Sequence, residues 1–99
     1  MAVTQIGTSN PVSFPVEGVK ATYKTNYYLG SVNGSKTVMF ETLCGVDTSK
    51  VVFAIPVLSA LNPTAHVLLG WNRWGTQNHI YAYTFSTAEV WIDVLVFHT

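Results

Sequence analysis

The clearest hydrophobic pattern of the chain lies in residues 88–97. From residue 90 to residue 96 every second position is apolar and β-branched: Val90, Ile92, Val94 and Val96. This period of two favours a strand, although residues 86–89, Ser-Thr-Ala-Glu, also fit a helix capping box. We predict a strand. The intervening positions also carry aromatic and aliphatic side chains, so we expect this strand in the centre of a sheet or facing another subunit.

Shorter β-favouring segments precede it, and turn signals separate them. The segments cover residues 19–29, 36–44, 51–57, 65–71 and 79–85. The breaks are an Asn33-Gly34 pair typical of a hairpin turn, a turn at 45–50, a loop or single helical turn at 58–64, and Ser86-Thr87. We find no convincing helix. The sequence predicts an all-β fold, an antiparallel β-sandwich or jelly roll of six to eight short strands.

Residues 1–18 differ from the rest of the chain. Pro11 and Pro15 remove backbone donors and bias the preceding residues toward extended conformations, so an extended N-terminal arm is predicted. In an assembly the arm would lie along a neighbouring copy; a frayed terminus is the alternative. Residues 19–99 are predicted to form a single domain.

The composition points to association. Of the 99 residues, 48% are hydrophobic and 10% are charged, whereas about 25% are charged in an average soluble domain. A monomer of this size would leave much apolar surface in water, so we expect a homo-oligomer.

Charge and hydropathy exclude several partners. The net charge is zero and the basic residues are scattered singly, so nucleic-acid binding is not expected. No apolar stretch reaches the roughly 20 residues of a membrane span, and the N-terminus lacks a secretory signal. We therefore expect synthesis in the cytoplasm and no membrane insertion.

Nothing in the sequence predicts catalysis. The carboxylates fall in different predicted strands or turns, with no local acid and base pair: Glu17, Glu41, Asp47, Glu89 and Asp93. The histidines His66, His79 and His98 lack metal-ligand spacing. Cys44 has no local activating charge and is predicted to lie buried on an apolar strand. We expect a protein that is not an enzyme and uses no metal or cofactor.

One segment has the chemistry of a ligand site. Indole, phenol, guanidinium, amide and imidazole groups follow one another closely, and aromatic platforms flanked by planar donors suit the apolar faces and hydroxyls of a sugar. The candidate ligand-binding residues are Trp71, Asn72, Arg73, Trp74, Gln77, Asn78, His79 and Tyr81. The alternative is that both tryptophans fill the core or a subunit contact, and the same two interpretations apply to Tyr23, Tyr27 and Tyr28.

Two segments of the chain are similar to a known protein family: residues 50–58, KVVFAIPVL, and residues 71–99, WNRWGTQNHIYAYTFSTAEVWIDVLVFHT. They resemble the second half of H-type lectin and bacteriophage fibre-tip domains, with Trp91 in the place of a tryptophan in the closing strand. The resemblance implies a small trimeric β-sandwich in a virion. The low charge and β-rich character are also similar to those of phage head-decoration proteins.

These observations lead to one main hypothesis and two alternatives. The main one is a homo-oligomeric, trimeric virion surface protein, a tail fibre or tail-tip domain, whose partners are other virion proteins and a host surface glycan or receptor. The second is a head-decoration or other structural virion protein whose aromatic residues seal contacts between subunits. The third is a small glycan hydrolase.

Overall fold

The computed structural model describes residues 2–4, 13–15, 18–74 and 77–99. This part of the chain is mostly antiparallel β structure, so the predicted fold class is confirmed at that level. The strands are β1 Ala2–Thr4, β2 Ser13–Pro15, β3 Lys20–Val38, β4 Val51–Asn62, β5 Val67–Trp74 and β6 Gln77–His98. A short helix, α1 at Phe40–Cys44, and one 3₁₀ turn at Thr48–Lys50 connect β3 to β4.

Strand β6 is the centre of the main sheet. Strand β3 pairs with one edge of β6 along almost its whole length, from Lys20 opposite His98 to Val38 opposite Ile80. Strands β4 and β5 follow one another along the other edge, opposite residues 89–98 and 77–84 respectively. The sheet is therefore a ribbon three strands wide, and the last apolar segment lies in its centre, which is one of the two positions predicted for it.

The ribbon bends in its middle. A straight strand of 22 residues would span roughly 70 Å, but the longest dimension of the molecule is 42 Å. The interruptions coincide at one level of the ribbon: β4 ends opposite Glu89, β5 begins opposite Thr84, and the β3 register shifts around Gly30 and Gly34. Both glycines have positive φ angles, 112° and 82°, which side chains rarely allow. The bend separates a proximal half (β4 with 20–32 and 88–98) from a distal half (β5 with 34–38 and 77–84).

A single core joins the two halves. Even-numbered side chains of β6 point to the inside on both sides of the bend, where Ser86 is exposed, because side chains alternate between the faces of a sheet. Ile80 in the distal half and Val90, Ile92 and Val94 in the proximal half are fully buried in the same cluster. Helix α1 adds Phe40 and Leu43, spaced for one helical face.

Three predicted turns prove to be parts of this bend. Asn33-Gly34 does not reverse the chain; it lies inside β3, because β6 rather than a neighbouring hairpin strand supplies its hydrogen-bond partners. Likewise Ser86-Thr87 lies inside β6, so the predicted strands 79–85 and 88–97 are one strand. The predicted loop 58–64 begins only after Asn62.

Two further predictions are wrong in detail. Residues 36–44 are not one strand: β3 ends at Val38, and α1 follows because burying Phe40 and Leu43 together outweighs the β preference of the segment. The expectation of no helix is corrected with it. The strand predicted at 51–57, which we expected to end at Pro56, continues to Asn62, because β4 pairs with β6 on one side only and a proline is tolerated in such an edge strand.

The predicted N-terminal arm lies largely outside the described residues. Within it, β1 and β2 pair antiparallel to one another, with Ala2 opposite Pro15. In the part of the chain that the structure describes, no helix is long and apolar enough to cross a membrane.

Candidate functional site

The hairpin of β5 and β6 carries all eight predicted ligand-binding residues. Its register places Trp74 opposite Gln77 and Asn72 opposite His79. Because side chains alternate between faces, the eight residues separate into two groups. The core-side group comprises Trp71, Arg73 and Asn78, and the outward group comprises Asn72, Trp74, Gln77, His79 and Tyr81.

The core-side group fastens the two halves of the bent sheet together. The indole Nε1–H of Trp71 donates to Asn78 Oδ1 at 2.6 Å, and Asn78 Nδ2 donates to the Thr48 carbonyl at 3.3 Å. Arg73 Nη1 reaches the Val52 carbonyl at 3.4 Å. We call these contacts the seam, since they join the distal hairpin to the segment that begins β4.

Aromatic packing strengthens the seam. The Phe53 ring meets the Trp71 ring edge-on, with centroids 5.5 Å apart, a preferred geometry for aromatic pairs. The Arg73 guanidinium lies 5.6 Å from the centre of the Trp71 ring, within cation–π range. For Trp71 this favours the structural alternative over a freely presented sugar platform.

The outward side of the hairpin holds an open depression of about 410 Å³. This volume lies within the range of small-molecule sites. The depression is lined by Ser35, Thr37, Trp71, Asn72, His79 and Tyr81. It crosses the sheet from β3 to β5, since Tyr81 of β6 lies between Thr37 on one side and Gly70 on the other.

Gly70 makes room for the phenol at the centre of the depression. A Cβ atom at this position would overlap the ring and hydroxyl of Tyr81. The absent side chain therefore lets Tyr81 lie over strand β5, and its hydroxyl becomes part of the floor.

The lining suits a neutral polar ligand. It offers hydroxyls, a carboxamide, an imidazole and a phenol ring, and its six residues include no Lys, Arg, Asp or Glu. Such groups can both donate and accept hydrogen bonds, while the aromatic rings provide apolar surface. This combination complements a sugar better than it complements a phosphate or a metal ion.

The structure brings together only part of the predicted set. Asn72, His79 and Tyr81 line the depression and Trp71 forms part of its wall, whereas the other four predicted residues are not in the lining. Trp74 lies on the same outward side and is 81% exposed. Gln77 accepts a hydrogen bond from Asn72 Nδ2 at 3.0 Å and so orients that amide.

The sequence pattern did not predict two of the lining residues, Ser35 and Thr37. They lie on β3, which is more than 40 residues from Tyr81 in the chain. Hydroxyl side chains at alternate positions were the available signal, but it becomes informative only when the pairing of β3 with β6 is known.

Each of the four described Asp and Glu side chains accepts a hydrogen bond. Glu41 accepts from the Thr48 backbone N–H and hydroxyl, and these two bonds lower the pKa of Glu41. Hydrogen bonds from Ser49 lower the pKa of Asp47 in the same way. A general acid would instead need a raised pKa.

The remaining two described carboxylates contact β3. Asp93 Oδ1 accepts the Asn26 N–H at 2.7 Å. Glu89 accepts from the Tyr28 hydroxyl at 3.1 Å, and this bond raises the pKa of Tyr28. Glu17 lies outside the described residues.

Cys44 and the histidines are dispersed. Cys44 ends α1 rather than lying on a strand, and it is half-buried, which raises the pKa of its thiol. His98 Nε2 lies 2.8 Å from Thr22 Oγ1, at hydrogen-bond distance. Among the described residues no three His, Cys, Asp or Glu side chains are grouped to hold a metal ion.

Comparisons with protein-family models, with curated proteins and with solved structures find no match to this chain.

Proposed function

We propose that this chain is a non-catalytic, homo-oligomeric virion surface protein, a tail fibre or tail-tip domain that binds a host surface glycan. The observation that carries the binding function is the uncharged depression over Tyr81. The virion setting and the trimeric state are supported by the resemblance of residues 50–58 and 71–99 to fibre-tip domains.

In the proposed complex a sugar ring covers the phenol of Tyr81. Its hydroxyls exchange hydrogen bonds with Thr37 on one side and with Asn72 and His79 on the other. Trp74, exposed on the same side of the hairpin, covers an adjoining residue of a longer glycan. Because the site is shallow and uncharged, each copy binds weakly, and several copies in one oligomer give useful avidity.

We further propose that the bent ribbon acts as a β-sandwich. The proximal and distal halves face one another across the core that contains Phe40 and Leu43, and the seam closes one end. A sandwich made in this way has strands that pass from one layer to the other at the bend.

A second function has its own supporting observation. Several large apolar side chains are exposed outside the depression, including Phe53, Ile55 and Phe85. In a head-decoration protein such side chains would contact a capsid or neighbouring copies, which is the structural alternative.

Glycan-array binding of the intact chain tests the main proposal. We expect Thr37→Val and His79→Ala to weaken binding at least tenfold, because each removes a hydrogen-bonding group from the depression. Thr87→Val is the matched control, since Thr87 is an exposed threonine of β6 that does not line the depression. Unchanged binding by the folded Thr37→Val and His79→Ala variants would rule out the depression as the site.

The same bound glycans test the absence of catalysis. We expect no release of new reducing ends during a prolonged incubation. Turnover that disappears in Glu89→Gln or Asp93→Asn would instead establish the hydrolase alternative.

A further inference from the structure

The outward side of the proximal half is an apolar surface outside the depression. The two approach one another at Phe53, whose ring also packs against Trp71 in the wall of the depression. Two rows run across its three strands: Tyr23, Leu95 and Ile55 form one, and Ala21, Phe97 and Phe53 form the next. Tyr28 and Trp91 extend it, with ring centroids 4.9 Å apart. We call Tyr23, Tyr28, Phe53, Ile55, Trp91 and Leu95 the outer face.

The outer face is large enough for a stable contact. Tyr23, Tyr28, Phe53 and Ile55 are between 42% and 60% exposed, and Val57 beside them is 48% exposed. With about 150–250 Å² on each large aromatic side chain, the surface is on the order of 500–700 Å², close to the roughly 800 Å² that each partner contributes to a standard interface. This is at or above the upper end of the apolar patches on monomers, and patches of that size often mark interaction sites.

The edges of the sheet are less suited to association than this face. The β3 edge carries exposed lysines at 20, 24 and 36, and its register shifts at three places. The β4 edge contains Pro56, which has no N–H to donate. Charges, bulges and prolines are features that prevent strands of different molecules from pairing, so contact between faces is favoured.

The charge distribution favours another copy as the occupant. Two acidic side chains adjoin the outer face: half-buried Asp93 accepts the Asn26 N–H, and exposed Glu89 accepts from the Tyr28 hydroxyl. The whole chain has zero net charge. The exposed lysines of the proximal β3 edge, Lys20 and Lys24, balance these two carboxylates. A second copy therefore meets the outer face without net repulsion, whereas a strongly charged partner of either sign would be only partly matched there.

We propose that the outer face packs against another copy of this chain. This inference rests on the homo-oligomeric state in the proposed function and names the surface that forms it. The depression lies in the distal half, around Tyr81 and His79, so the contact leaves a glycan site open on every copy.

Sedimentation velocity of the intact chain over a range of concentrations tests the interface. We expect the unmodified protein to be oligomeric, and we expect Ile55→Glu and Tyr23→Glu to weaken association at least a hundredfold. Leu68→Glu is the matched control: Leu68 is 60% exposed, as Tyr23 is, but it lies on β5 outside the outer face. It should leave association unchanged.

Circular dichroism of each variant shows whether it is folded. Hydroxyl-radical oxidation of the unmodified protein is a second test, which needs no variant. Oxidation of Tyr28 by hydroxyl radicals should fall several-fold as the protein concentration rises through the association range, whereas oxidation of Trp74 should not. Constant reactivity of Tyr28 across association would overturn the inference.

The remaining outcomes separate the two proposals. Folded Ile55→Glu and Tyr23→Glu proteins that stay oligomeric would overturn the outer face as the interface and leave the proposed function standing. A protein that remains monomeric at the highest concentrations would overturn both the interface and the homo-oligomeric state. Glycan binding by a monomeric Ile55→Glu protein would support the separation of the two surfaces. A His79→Ala protein that loses glycan binding but still associates would support the same separation.

Discussion

At the scale of single residues, Asn78 is the side chain on which the seam depends most. Its amide accepts from the Trp71 indole and donates to the Thr48 carbonyl. We expect Asn78→Ala to lower the free energy of unfolding by about 1–3 kcal/mol, since the half-buried indole N–H loses its partner. Urea denaturation measures this change.

The control for Asn78 is Gln77→Ala. Gln77 is exposed, and its hydrogen bond with Asn72 is on the solvent side of the hairpin. Its removal should change the free energy of unfolding by no more than about 0.5 kcal/mol. Equal effects of the two substitutions would contradict a structural role for the seam.

Glu41 gives the stability a dependence on pH. Bonds from Thr48 lower the pKa of Glu41 below its ordinary value of 4.5, so the folded state favours the ionised form. Its stabilising contribution is present above the ordinary pKa and is lost as the pH falls through the lowered one. We expect Glu41→Gln to lower Tm at about pH 7, and the difference from the unmodified protein to narrow below about pH 4.

Thermal denaturation across this range checks the prediction. Thr42→Ala, at the next and exposed position of α1, is the control and should shift Tm by a similar amount at every pH. If the Glu41→Gln difference were instead larger in acid, the carboxylate would not be the acceptor that stabilises the 3₁₀ turn.

At the scale of elements, Gly34 sets the bend of β3. Its φ angle of 82° is unfavourable for any residue with a side chain, although a Cβ there would meet no neighbouring atom. We expect Gly34→Ala to destabilise the fold by about 1–3 kcal/mol through backbone strain alone. Ser31→Ala, in the same strand and exposed, should have an effect within about 0.5 kcal/mol. Equal unfolding midpoints for the two variants would contradict a strained bend.

The strands also show what local sequence can and cannot predict. The apolar period of two correctly predicted a strand at 88–97, which is the second half of β6, and the turn signals at Asn33-Gly34 and Ser86-Thr87 marked real irregularities. The chain reversals predicted at these signals were wrong, because a glycine with positive φ occurs in β-bulges as well as in hairpin turns. The partner strand decides between these two uses, and it lies about 50 residues away in the chain.

The site was predictable to the same extent. Neighbouring residues on one outward strand face, such as His79 and Tyr81, follow from local alternation. Ser35 and Thr37 reach the depression only through long-range pairing with β6. The core-side orientation of Trp71 could not be separated from an outward one until the register of β5 was known.

At the scale of the whole molecule, one core implies one cooperative unit. Ile80 and Val94 belong to opposite halves of the sheet but to the same buried cluster. At a fixed protein concentration we expect a single unfolding transition, with circular dichroism and tryptophan fluorescence giving the same midpoint. Two separated midpoints would show that the proximal and distal halves unfold independently.

The placement of β6 has a consequence for biosynthesis. The other three strands of the main sheet, β3, β4 and β5, all pair with residues 77–98 of β6. These residues leave the ribosome after the three strands have done so. Until that segment emerges, their apolar residues have no native sheet to join. The main sheet therefore cannot assemble until residues 77–98 have emerged, and during that interval the apolar residues of the three earlier strands are open to aggregation.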